Sequence, residues 1–564
     1  MSLWERIRGR EETGSPAEKR ALPAGRLSGI ATVVVGALFL SVFPVPAQTH
    51  VVGSWNAPVT LQVEGVHGAV LPNGKVLYFP YRENANGTSP TVVFDPSNPA
   101  GAHYVTSPQN FFCGGHSMLA DGKVLFNGGE TIAPNFLTGT GYFDYATETW
   151  TNLADLNRPR WYPSTIQLGD GSPWTFGGQS EAGNADLNDP TIESYDLGTG
   201  MWSLVGGQGI PGQYEEAYNR LHLLPDGKIF QSGHLPNTYI YDPVLKTWTF
   251  IDATNLNRPR GNGSSVRLQD GRFMIMGGDD EILYFNSAEV IDLTQPSPQW
   301  QNLANMNAAR SFINAIVLPD GKVLVAGGDE GVIPSSSILV PELYDPVADT
   351  WTNMAPFTIP RGYHSTLLLL PDGRVILSGG EGNGGPGVFG ESPAFEIWNP
   401  YYLFQTARPV ITSLPAQAAY GAQLTMSYSS TVSVSHVVIH RSGNQTHSFS
   451  YNQISHPVSL DSNNGSTATF TIPANSNLLP PSFYMVFLMS SDGVPSVAKW
   501  VQIGTVAEPL TTPGAPGLSP TAGRAGSVGQ GSPARGESWP AVDPGADRSP
   551  WTKAPPEDAR AARQ

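Results

Sequence analysis

IVLPDGKVLVAGG, residues 316–328, decides the fold. Two apolar runs flank an Asp-Gly dipeptide and the second ends in Gly-Gly; such a dipeptide supplies the positive φ that a tight hairpin requires. The same phrase occurs seven times, with turns at Asn73-Gly74, Asp121-Gly122, Asp170-Gly171, Asp226-Gly227, Asp270-Gly271, Asp320-Gly321 and Asp372-Gly373. Its spacing, roughly 44 to 56 residues, is that of propeller blades.

Between these turns runs a second signature, an Asp followed by a variable turn and a Trp: Asp144 to Trp150, Asp196 to Trp202, Asp242 to Trp248, Asp292 to Trp300 and Asp345 to Trp351. Two hairpins per unit make a four-stranded blade. Seven copies therefore predict an all-β chain whose residues 48–402 form a seven-bladed kelch-type β-propeller, with the segment from Val51 to Val63 closing the ring against the last blade. An open solenoid has shorter units and lacks the Trp-bearing hairpin. After Asn399-Pro400 the phrase stops, and alternating strands (Gln423 to Tyr428, Val432 to Ile439, Ala468 to Ile472, Phe483 to Met489) predict an immunoglobulin-like β-sandwich over residues 403–505. Residues 506–564, rich in Pro, Gly, Ala and Ser, read as a disordered tail.

At the other end, basic residues from Arg6 to Arg26 precede an apolar run from Ile30 to Val45 and the small-residue site Val45-Pro46-Ala47. This is the grammar of a signal peptide over residues 1–47, so the expected location is extracellular, or at a membrane if the segment stays uncleaved. The formal net charge of −16 offers no basic surface to neutralise phosphates, which excludes nucleic acid as a partner. Cys113 is the only cysteine. No intramolecular disulfide exists, and in an oxidising compartment a lone thiol is a liability unless it is buried or committed to other chemistry.

In a propeller the loops at one end of the blades converge on the central axis, so metal-ligand residue types are to be sought there. Four segments stand out: Phe112-Cys113-Gly114-Gly115, Arg160-Trp161-Tyr162-Pro163, Arg361-Gly362-Tyr363-His364-Ser365, and Thr446-His447 in the sandwich. The first three each lie just before the innermost strand of a blade. The fourth reaches the axis only if a hairpin of the sandwich enters the channel. At these residues, and in the stretches GYHSTLLLLPDGRVILSGG (362–380) and YMVFLMSSDGVPSVAKWVQI (484–503), the chain resembles the galactose oxidase and glyoxal oxidase family of copper radical oxidases, over roughly residues 50 to 505. The Arg-Trp-Tyr run is more like glyoxal oxidases.

The resemblance implies one mononuclear copper ion. Tyr162 would be an equatorial ligand joined by a thioether to Cys113 as a built-in radical cofactor, His364 and His447 the nitrogen ligands, and Tyr363 the axial phenol that accepts the substrate proton. Two imidazoles and two phenols with an open position suit Cu(II). One copper passes one electron, whereas oxidising an alcohol or hydrated aldehyde removes two, so a second redox group is required. The implied reaction takes a small aldehyde or primary alcohol with O2 to the oxidised product and hydrogen peroxide. A monomer, and association with a cell wall or glycan, are further expectations. His116, His436, His440 and His456 are read as packing or surface residues.

The chain departs from the family pattern after Gly177-Gly178, where a stacking Trp or His is expected over the thioether and Gln179, Ser180 and Glu181 stand instead; Trp161 is a candidate substitute. Loops 184–189, 208–216 and 382–389 would set the substrate. The competing reading is a non-catalytic secreted kelch and sandwich protein that binds glycans or another protein, since fold alone decides no function. The joint presence of Cys113, Tyr162, Tyr363, His364 and His447 argues against it.

Overall fold

A computed structural model describes residues 48–504 except 81–87, 131–135, 181–188, 212–217, 331–336 and 381–391. The expected signal peptide and tail, and most of the three rim loops, lie outside the described residues. None of the described helices is long and apolar enough to cross a membrane.

Seven antiparallel sheets follow one another in chain order and form the blades of a β-propeller. Each begins with a short buried strand at the axis, such as Gly115–Met118 in blade two, Ser164–Gln167 in blade three and Ser365–Leu369 in blade seven. The last blade is completed by the N-terminal strands Ser54–Trp55 and Val59–Thr60, which pair with Ala394–Asn399 and close the ring. Two further sheets, of four and five strands, make the immunoglobulin-like sandwich around a core that includes Met426, Val437, Phe470 and Val486.

The recurrent turn differs in one respect from the simple two-residue hairpin. In the first copy Gly74 donates to Leu71 O at 2.8 Å and Leu71 N to Lys75 O at 2.8 Å, and only Gly74 has a positive φ (82°). This is a type I turn followed by a left-handed glycine, which suits Pro72 ahead of the Asn, because proline's fixed φ fits a type I turn. The tryptophans of the second signature tie blades together. Trp150 Nε1 donates to Thr91 Oγ1 of blade one at 3.2 Å, and Trp300 Nε1 to Thr238 Oγ1 of blade four at 3.2 Å.

Four blades share a buried ion pair just before the inner strand: Arg160–Glu193 at 3.0 Å, Arg260–Glu289 at 2.7 Å, Arg310–Glu342 at 2.6 Å and Arg361–Glu396 at 3.4 Å. Each Arg also donates to the carbonyl of a glycine in the Gly-Gly pair: Gly177, Gly277, Gly327 or Gly379. The pair clamps the loop that leads to the axis onto its own blade. Burying a guanidinium this deeply is tolerable only with a carboxylate and carbonyls to receive its protons.

Candidate active site

The sandwich does send a hairpin into the propeller. Strands Asn444–Thr446 and Phe449–Tyr451 extend blade one from its inner edge, with His67 opposite Thr446 and Ala69 opposite Asn444. The two residues at the tip, His447 (φ 43°) and Ser448 (φ 68°), both take the left-handed conformation that a two-residue hairpin turn demands. This turn places the His447 ring among groups from three blades.

Those groups are the ones singled out in the sequence. The ligand atoms of Cys113, His364 and His447 all lie within 4.8 Å of one another. Cys113 Sγ sits 3.5 Å from His447 Nε2, and the Tyr162 and Tyr363 hydroxyls share a short hydrogen bond. The His364 and His447 rings meet edge to face at 4.7 Å, and Tyr162 and Tyr363 approach His447 at 5.1 and 5.2 Å. All five residues are thus brought together, whereas His440 and His456 are paired strand residues of the sandwich sheet. His116 packs flat on Phe126 at 5.2 Å.

Backbone geometry explains how the inner-strand entries deliver their side chains. Cys113 (φ 56°), Tyr162 (φ 59°) and His364 (φ 66°) all adopt left-handed backbone, rare for residues bearing a Cβ. At Tyr363-His364 this bend answers the difficulty that neighbours on a strand face opposite ways. The two rings stack at 3.9 Å instead of diverging. Cys113 is held from several sides: its N–H donates to His67 Nε2 at 3.1 Å, its carbonyl accepts from Tyr162 N at 2.9 Å, and Tyr218 Oη donates to Gly114 O at 3.0 Å. The glycine that follows is needed for close approach, since a Cβ on Gly115 would stand 2.2 Å from Thr165 Oγ1 of blade three.

The protonation state of His447 follows from its neighbours. Thr446 Oγ1 spends its one proton on Val66 O at 3.0 Å, so it accepts from His447 Nδ1 at 2.6 Å. Nδ1 therefore carries the hydrogen and Nε2 turns its lone pair toward the cluster. Burial, then the neighbouring His364, His67 and His116, holds this imidazole neutral by pulling it well below its ordinary value. Burial pushes the Cys113 thiol up to about 12, and pushes the Tyr162 phenol well above its ordinary value with help from Cys113 and Tyr363.

Gln179, which occupies the place where the family pattern has an aromatic, pairs backbone to backbone with Trp161 at 2.9 and 2.7 Å. The indole of Trp161 stacks on Tyr162 at 4.3 Å with 30° between planes, and Phe136 stacks on the same indole at 5.3 Å. Sequence reasoning missed His67 and Tyr218, the latter 5.1 Å from both the Tyr162 and His447 rings. It also missed the four glutamates, whose signal was legible: Glu193, Glu289 and Glu342 each stand three residues before the Asp of the Asp-to-Trp signature.

Two family profiles match, one described as glyoxal oxidase N-terminus over residues 282–387 and one as galactose oxidase-like, Early set domain, over residues 408–503. Over these two stretches the chain is similar to the galactose oxidase and glyoxal oxidase family of copper-dependent oxidases. A galactose oxidase of Gibberella zeae is 28% identical over 505 residues, covering 80% of this chain and 70% of its own length. An aldehyde oxidase GLOX of Vitis pseudoreticulata is 28% identical over 438 residues, covering 70% of this chain and 82% of its own. Among solved structures, a fungal alcohol oxidase in complex with copper superimposes with a TM-score of 0.72 at 26% identity, covering 80% of this chain and all of that one.

Proposed function

We propose that this chain is an exported copper radical oxidase that converts a small primary alcohol or aldehyde and O2 into the oxidised product and hydrogen peroxide. The observation that carries the reading is the meeting of Cys113, Tyr162, Tyr363, His364 and His447 at one point of the channel. The donor set fits copper: His364 and His447 would supply nitrogens, Tyr162 and Tyr363 phenolate oxygens, a mixed N,O set that a soft all-thiolate or hard all-carboxylate metal would not select. Neutral His447, with Nδ1 fixed by Thr446 and Nε2 facing inward, is prepared to be a ligand, and Thr446 would be the outer partner that orients it.

Copper bound there supplies one-electron redox chemistry and a Lewis-acidic seat for the substrate oxygen. A two-electron oxidation needs a second one-electron group, and Cys113 with Tyr162 can provide it. Forming a C–S bond between the thiol and the phenol ring removes one hydrogen from each, with O2 as the acceptor of the two electrons. Oxidised by one further electron, with O2 as the acceptor, the crosslinked Tyr162 would be a phenoxyl radical whose oxygen takes a hydrogen atom from the substrate carbon. The second electron would pass to the copper, and O2 would take both electrons in turn. Tyr363, whose hydroxyl faces that of Tyr162, takes the proton of the substrate hydroxyl. Trp161 covers one face of the Tyr162 ring and would shield the radical in place of the family's usual aromatic. For an alcohol the balance is RCH2OH + O2 → RCHO + H2O2.

The test is peptide mass spectrometry after copper loading in air. Cys113 and Tyr162 are expected in one crosslinked peptide lacking two hydrogens, accompanied by peroxide release on a panel of small alcohols and aldehydes. Separate peptides from a copper-saturated sample would overturn the radical cofactor, and the absence of peroxide with the crosslink present would overturn the substrate class.

A further inference from the structure

The far end of the channel from the Cys113–Tyr162 cluster holds a second polar cavity. It lies between the last residues of the inner strands of blades three to five and the sandwich, is partly open to solvent, and is lined by Gln167, His222, Arg267, Arg441 and Gln453 among others. Five residues along the strand separate Tyr162 from Gln167, about 15 Å at the usual rise per residue.

Its charge balance is unlike that of the rest of the molecule. Two guanidiniums line the cavity and no Asp or Glu does. Arginine stays charged in proteins, so these are two permanent cations. Elsewhere buried guanidiniums are answered: Arg160, Arg260, Arg310 and Arg361 each by a glutamate, and Arg408 by three backbone carbonyls. Arg441 donates Nε to Asn452 O and Nη1 to Gln167 Oε1, both at 2.7 Å, which leaves Nη2 without a partner among the described residues. Arg267 has neither a hydrogen-bond nor an ion-pair partner among them; its guanidinium only overhangs the Phe273 ring at 5.9 Å. Gln453 spends its oxygen on Val317 N at 2.9 Å, and its Nε2 is buried and unsatisfied. Every unused polar atom on this list is a donor. Uncompensated cations and orphan donors around a solvent-reachable space need an acceptor of negative charge.

We propose that this cavity is a binding site for a small carboxylate, held by the free edges of Arg267 and Arg441 with Gln453 Nε2 as a neutral donor. The planar fork of a guanidinium matches the two oxygens of a carboxylate, which favours that class over a spherical halide.

The experiment uses the full-length, copper-loaded protein with acetate as the probe and chloride at equal ionic strength as the control, followed by thermal melting and titration calorimetry. Acetate raises the melting temperature along a saturating curve, as a ligand specific to the native state must, and chloride does not. Arg267→Gln weakens acetate binding by about ten-fold or more, the worth of one charged hydrogen bond, and in acetate-free buffer melts no lower than the wild type because it removes an unanswered charge. Arg267→Lys, which keeps the charge and loses the fork, also binds acetate more weakly. An equal response to chloride and acetate overturns the proposal, as does an Arg267→Gln protein that keeps the acetate response or melts lower without any anion. Acetate bound at an open copper position would be untouched by Arg267→Gln, so the part of the response lost in that variant is the reading, and it stands or falls apart from the oxidase assignment.

Discussion

Replacing Glu396 by Gln asks whether the blade-seven clamp holds the Tyr363-His364 pair in place. Glu396 is fully buried and accepts from Thr358 N at 2.8 Å, Thr358 Oγ1 at 2.7 Å, Ile359 N at 3.2 Å and Arg361 Nη2 at 3.4 Å. Gln keeps the volume but loses the charge, turns an NH2 toward donors, and leaves the Arg361 guanidinium with only the carbonyls of Gly379 and Ala394. Breaking a buried pair by removing one partner costs about 3 to 5 kcal/mol, and the retained shape places this variant near 3. Arg361 lies two and three residues before Tyr363 and His364, so slack in the clamp moves both rings; a displacement of about 1 Å at reacting groups costs on the order of a hundred-fold in rate. The control is Glu289→Gln in blade five, where Glu289 accepts from Arg260 Nη2 at 2.7 Å, from Asn255 N at 2.5 Å and from Leu256 N at 3.2 Å. That loop ends in Asn262 and carries none of the five clustered residues. Urea unfolding followed by tryptophan fluorescence would give the two stability losses, and peroxide release well below both midpoints the activities. Both variants should lose similar stability while only Glu396→Gln loses most of its activity. Equal loss of activity in the two, or full activity in Glu396→Gln despite the lost stability, would refute the link between clamp and site.

Three further outcomes are expected. Tyr363→Phe keeps copper, read by electron paramagnetic resonance, and lowers kcat by about 10² to 10⁴, the usual range for losing a general base; unchanged kcat would remove Tyr363 from proton transfer. Trp161→Phe keeps the crosslink but lowers activity about 10- to 100-fold, as outer-shell changes do, and shortens the lifetime of the radical absorbance, so an unaltered lifetime would deny the indole a shielding role. His440 is buried with both ring nitrogens unsatisfied and is pulled down to about 3 by burial. Its folded value lies below that of the unfolded chain, so the unfolded state binds the extra proton between about pH 6.5 and 3, and stability falls with acid across that window by up to about 1.4 kcal/mol per pH unit. His440→Phe should flatten the stability–pH curve there by about one proton, and an unchanged slope would contradict the burial argument.

The fold was legible because its determinants are local and repeated. A Gly at the left-handed position of all seven turns and, in five blades, a Trp after the Asp state the hairpins of a blade within a few residues, which leaves little freedom. Cys113, Tyr162 and the Tyr363-His364 pair stood out by position, each just before an inner strand, but their roles were legible only through the family resemblance, and the left-handed backbone that re-aims their side chains was not legible at all. Tyr218 was not legible: it is an aromatic in a loop whose value comes from touching Tyr162 and His447, contacts that no nearby residue announces. Trp161 was visible as a candidate, but its stacking on Tyr162 and the pairing of its backbone with Gln179 are seen only in the structure.

His447 marks the boundary between the two kinds of information. Its neighbours in sequence specify a tight hairpin and nothing more; what gives it a role is the register in which that hairpin meets blade one, with Thr446 opposite His67, almost four hundred residues earlier in the chain. That register is fixed by more than backbone pairing. Thr446 Oγ1 bonds Val66 O, Gln445 Nε2 reaches Asn314 of blade six at 2.6 Å, and Asn452 Nδ2 reaches Ser117 of blade two at 3.1 Å. A slip by one residue would turn Thr446 and Gln445 to the wrong faces and break all three at once. The sandwich can therefore dock on the finished ring in one register only, and that register delivers the His447 ring to Cys113, Tyr162 and His364. Completion of the site is thereby tied to completion of the fold: Cys113 and Tyr162 stand on the neighbouring blades two and three, whereas His364 and His447 join them only once blade seven and the sandwich hairpin are in place.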